Sequence, residues 1–204
     1  MSATSLVRPR RRSPVRPIVA VYGGLALLAI AGLALRDGGL ASLVPPTAAK
    51  ASEWVALGAL AGALLAFPSY LARRWRPLRR IEAAVRVVFP ELGPGEILAL
   101  AVASGVAEEL LFRALLQPAV GLLAASAIFG ACHYAGRRFA AYPWSAAVAG
   151  LVLGGLFELT GAVLAPIVAH ATVNGVGFAR ARRRRSARRR ETRSTSGGGD
   201  AGGA

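Results

Sequence analysis

Six polar side chains stand where polar side chains are most costly. Glu108, Glu109 and Arg113 fall within "GVAEELLFRALL" (105–116), His133 ends "FGACH", and His170 and Asn174 bracket "HATVN". Long apolar runs flank each stretch. An ionisable group in hydrocarbon costs at least a few kcal/mol, so its presence there is by default a functional-site hypothesis. A carboxylate and an imidazole can take and return a proton, and two N–H donors aimed at one point can hold a developing oxyanion. Hydrolysis by an activated water needs all of these groups.

Spacing assigns them. Adjacent Glu108 and Glu109 point about 100° apart on a helix (3.6 residues per turn), so they cannot share one task. Glu109 and Arg113, four apart, share a face and read as a buried ion pair that fixes the helix. Glu108 is then the carboxylate facing a cavity, as a general base must. His170 and Asn174, also four apart, form the candidate oxyanion pair. Each residue has a duller reading. A partnered charge has no proton to trade, so Glu109 and Arg113 are supporting residues. A single histidine or asparagine in a membrane helix is often only a helix–helix hydrogen bond. Cys132 reads as a small buried hydrophobe, and Glu158 as a side chain snorkelling at the outer end of a span. The joint occurrence of six such residues favours a site.

The elements that must position them are membrane helices. The 204 residues are 54% hydrophobic and 17% charged, with formal net charge +15, mean hydropathy +0.49 and pI near 11.7. That is too little charge for a soluble domain. Arginine blocks alternate with apolar stretches of about 20 residues, the pattern of a polytopic membrane protein. The expected fold is an all-α transmembrane bundle of about six spans, at roughly 18–35, 54–72, 96–117, 119–135, 144–159 and from Gly161 to near Phe178. Motif residues sit on the third, fourth and sixth. A tight turn is expected at Gln117–Pro118, and "IEAAVRVVF" is expected to lie in the interface as an amphipathic helix. The organisation is a disordered basic segment (1–17), two spans with a basic connector (18–94), a core (95–178) and a disordered Arg-rich, Gly/Ser-rich tail (179–204).

Under six spans, 22 of the 25 lysines and arginines fall on one side, which places both termini in the cytoplasm, with the plasma membrane as the expected location. Trp54, Tyr70, Trp75, Tyr142 and Trp144 fall near span ends, as an aromatic belt would. The basic tail is expected to meet anionic lipid rather than nucleic acid. One cysteine excludes an intrachain disulfide. Counted from the expected turns, Glu108 and His170 lie at one depth, with His133 and Asn174 about one turn nearer the cytoplasm.

With these residues in place, the sequence resembles a known family. "EELLFR" (108–113) matches the EExxxR motif, "FGACH" (129–133) the FxxxH motif and "HATVN" (170–174) the HxxxN motif of the CPBP family, the CaaX proteases and bacteriocin-processing enzymes. The resemblance spans about 95–178. It implies a membrane endopeptidase acting on a membrane-associated protein or peptide. Glu108 would activate water with help from His133, His170 and Asn174 would form the oxyanion hole, and Glu109 and Arg113 would support the site. Zinc is a possible cofactor, with Glu108, His133 and His170 as ligands; there is no HExxH, and a metal-free glutamate mechanism fits equally well. Two other functions compete. One is a non-catalytic immunity or scaffold protein of the same fold, against which the intact motif set counts. The other is an ion or proton transporter, which should show inverted repeats; here the acidic and histidine groups within spans all lie in the second half.

Overall fold

The structure, a computed structural model, describes residues 15–36, 38–43, 45–71, 76, 79, 80, 83 and 92–196. Among these residues the chain is helical, with no strand. The helices are α1 (Val15–Ala34), α2 (Ala48–Ala66), the single turn α3 (Pro68–Leu71), α4 (Pro94–Glu109), a π-helical segment (Leu110–Leu116), α5 (Gln117–Cys132), α6 (Ala141–Thr160) and α7 (Leu164–Ser196).

Among the described residues, four stretches are long and apolar enough to cross a membrane: Val15–Ala34, Ala48–Tyr70, Pro94–Cys132 and Ala141–Thr160. The third has 39 residues, about 58 Å if straight, or roughly twice the hydrocarbon thickness. It is folded back on itself. Phe112 and Phe129 would stand about 25 Å apart on an unbroken helix, yet their rings are 5.0 Å apart. The reversal lies at Gly121, whose φ of 81° and ψ of 164° suit a residue without Cβ. This corrects the turn expected at Gln117–Pro118, because Pro118 is accommodated in the first turn of α5. At the end of α6, Gly161 takes the left-handed conformation of a helix C-cap,.

Two boundaries also move. The first helix begins at Val15, inside the segment expected to be disordered. The last continues to Ser196, through arginines expected in a disordered tail; alanine and arginine are among the better helix formers. The interfacial helix expected at 81–89 lies almost wholly outside the described residues, as does Trp75.

Burial is inverted relative to a soluble protein. Small residues fill the inside, with Ala29, Ala107, Ala125, Ala165 and Ala169 wholly buried, while Leu27, Leu28, Leu64, Leu98, Leu123 and Leu159 are exposed. Small interfaces with large apolar side chains outward are how helices pack in lipid. The protein is an integral membrane protein. Among the described helices, the most extensive packing is between α2 and α7. There Gly58 meets the Ala165 carbonyl, and a Cβ on Gly62 would lie 2.6 Å from the Ala169 oxygen. Glycine is required at this crossing, which seats the helix carrying His170. Trp54 is not a belt residue as expected; it is buried against Ala162 and Ala165. Tyr70 and Trp144 are exposed.

Candidate active site

Three chain segments meet at one cavity of about 540 Å³. From α4 come Ser104 and Glu108, one turn apart. His133 comes from just past the last residue of α5, and His170 and Asn174 come from α7. Tyr22 of α1 and Tyr142 of α6 also line it, as do Ser69, Ser145 and Arg180.

Glu109 lies behind this cavity and is wholly buried. Its Oε2 accepts from Arg113 Nε at 3.0 Å, and its Oε1 lies 2.6 Å from His170 Nδ1. The ion pair with Arg113 is thus only half of what Glu109 does. His170 Nδ1–H donates to the ionised carboxylate, so a neutral His170 ring presents a bare Nε2 to the cavity. The same logic fixes His133. Its Nδ1 lies 2.7 Å from the Phe129 carbonyl, which can only accept, so Nδ1 carries the hydrogen and Nε2 of the neutral ring is bare.

Both bare nitrogens face one carboxylate oxygen. Glu108 Oε2 is 3.8 Å from His133 Nε2 and 3.9 Å from His170 Nε2, too far for direct hydrogen bonds. Oε2 is buried without a hydrogen-bond partner. Three acceptors converging on one point make a place for a species that donates protons. The Tyr22 hydroxyl is also within hydrogen-bonding reach of Glu108. A zinc ion is a poorer fit. Tetrahedral ligands about 2.0–2.1 Å from zinc stand roughly 3.3–3.4 Å from one another, closer than these atoms. Among the described residues, no group of three or more His, Cys, Asp or Glu is arranged to hold a metal ion.

Asn174 lines the cavity with His170, but the two do not present a pair of free donors. Asn174 Nδ2 donates to Ser104 Oγ at 2.9 Å, which leaves one amide hydrogen. Phe129, the aromatic residue of "FGACH", joins the parts: its ring lies 4.5 Å from that of His133 and 5.8 Å edge-on from that of His170. The Arg113 guanidinium lies 5.1 Å from its centroid. Cys132, expected to be buried, is exposed at the last residue of α5.

Sequence reasoning missed four residues at or behind the site. Ser104 looks like any small residue of a membrane helix, although its four-residue spacing from Glu108 was a signal. Tyr22 is a phenol within an apolar run, a weak signal; Tyr142, expected in the aromatic belt, lines the cavity. Gln117, expected in a turn, is instead 4% exposed.

Comparison with curated proteins and with solved structures yields no match. Residues 90–176 match the sequence profile of the Rce1-like type II CAAX prenyl endopeptidases. The matched segment holds all three motifs and every residue gathered around Glu108 except Tyr22, and it includes Gln117 as well. Over this segment the match supports the family resemblance carried by the three motifs.

Proposed function

We propose that the protein is an intramembrane endopeptidase in which Glu108 activates water against a peptide bond of a membrane-associated protein or peptide. One observation carries the reading: the buried, unpartnered Glu108 Oε2 lies 3.8 and 3.9 Å from two imidazole nitrogens. A water held among these atoms can give a proton to Glu108 while its oxygen attacks a carbonyl carbon; the tetrahedral adduct then collapses with cleavage of the C–N bond, and Glu108 returns the proton to the leaving amine nitrogen. His133, with its Nε2 free to accept, assists that transfer. The resulting oxyanion would take its hydrogen bonds from α7. Asn174 offers its second amide hydrogen, and His170 offers Nε2–H in its doubly protonated form, with Glu109 facing the charge. Mostly apolar walls limit bulk water, which strengthens each of these interactions.

The same reading gives six spans with both termini cytoplasmic, a plasma-membrane location, and anionic lipid against the arginine-rich end of α7. To test the activity, the purified protein is incubated in proteoliposomes with synthetic membrane-anchored peptides, with and without an isoprenyl group. Products are read by mass spectrometry. New peptide termini that appear with the wild type and not with Glu108→Gln support the reading. Intact peptides throughout overturn it.

A further inference from the structure

We propose that Gln117 and Glu158 are positioning residues for this site, acting through Arg113 and Glu109 on the ring of His170. The proposal rests on the endopeptidase reading for its rate effects only. A continuous polar chain leads from the far end of α6 to the cavity. Gln117 Nε2 donates to Glu158 Oε1 at 3.1 Å and to the Gly154 carbonyl at 3.1 Å. Arg113 Nη1 approaches Gln117 Oε1 at 3.4 Å. Arg113 Nε then donates to Glu109, which holds His170. The orientation of the Gln117 amide follows from chemistry. Arginine only donates, and a carbonyl and an ionised carboxylate only accept.

The backbone is shaped to make this row. In an α-helix, residues four apart drift by about 40°, so Glu109 and Gln117 would diverge by about 80°. The π-helical segment Leu110–Leu116 has wider turns, closed by i→i+5 hydrogen bonds, and these counter the drift. Glu109, Arg113 and Gln117 therefore stay in register. Opposite them, Gly154 leaves a notch in α6: a Cβ there would lie 2.6 Å from Gln117 Oε1 and 3.3 Å from Arg113 Nη1. Arg113 is wholly buried and its Nη2 has no partner. Removing Gln117 leaves Arg113 hydrogen-bonded only through Nε, with the Phe129 ring as its other contact, so the guanidinium fixes less firmly the Glu109 carboxylate that orients His170.

The chain has two histidines, so ¹⁵N-imidazole labelling gives two ring systems, which His133→Gln assigns. In the wild type, His170 should be protonated at Nδ1. Gln117→Leu should mix its tautomers and lower kcat about tenfold with KM little changed, the usual scale for outer-shell groups. Glu158→Gln keeps an oxygen that accepts from Gln117 Nε2 and should match the wild type in both readouts. Glu158→Leu should shift both in the direction of Gln117→Leu, and it carries the comparison if that variant does not fold. Wild-type ¹⁵N shifts and kcat in both leucine variants would overturn the proposal, leaving Gln117 as packing between α5 and α6. If no peptide is cleaved even by the wild type, the endopeptidase reading fails while the ¹⁵N shifts still decide the positioning role.

Discussion

Glu109 Oε1 lies 2.6 Å from His170 Nδ1 across the interface of α4 and α7, so one carboxylate ties two of the three motifs together. Its other oxygen holds Arg113. Glu109→Gln keeps a single acceptor oxygen for these two donors, and it leaves a buried guanidinium without a counter-charge. Breaking a buried pair in this way typically costs about 3–5 kcal/mol. The variant should show a clearly lowered Tm in detergent, followed by intrinsic tryptophan fluorescence. A wild-type Tm would mean the cluster does not depend on the pair.

Asn174 and Ser104 separate two roles. Loss of an oxyanion donor typically costs about 10²–10³ in rate, so Asn174→Ala should lose activity on that scale with KM nearly unchanged. Ser104→Ala removes only the partner at 2.9 Å and should retain much more activity. Equal losses in the two variants would make the amide a helix–helix link and nothing more.

The α2–α7 crossing tolerates no side chain at Gly62. A valine there would meet the Ala169 carbonyl and Thr172 and push on the turn that carries His170. Overpacking of this kind costs about 1–3 kcal/mol, so Gly62→Val should lower both Tm and kcat. Gly23→Val, where the added Cβ meets nothing within 4 Å, should leave both unchanged. Equal behaviour of the two variants would show that the crossing is not tight.

The proposed topology rests on the arginine distribution. Reporters fused after residue 45 and after residue 200 should lie on opposite sides of the membrane. Both on one side would overturn the six-span arrangement.

The apolar runs and the three motifs were readable in the sequence because period and charge report burial in lipid directly. What escaped was set by contacts between elements. The reversal at Gly121 was misplaced because Gln117–Pro118 carries a stronger local turn signal, while only tertiary packing shows Gln117 facing Gly154 and Glu158. The second partner of Glu109 escaped for the same reason, since a four-residue spacing reveals Arg113 but not a histidine 61 positions away. Trp54 was placed by its distance from a span end, and packing against Ala162 and Ala165 buried it instead.

The most direct test of the central claim is the turnover of Glu108→Gln beside the wild type, with and without a chelator, on any peptide the wild type cleaves. Glutamine keeps the size of the side chain but cannot take a proton from water at its amide. The account predicts a folded variant, with Tm close to the wild type and no measurable hydrolysis, and a wild type whose rate the chelator does not change. Turnover of Glu108→Gln at the wild-type rate would contradict it.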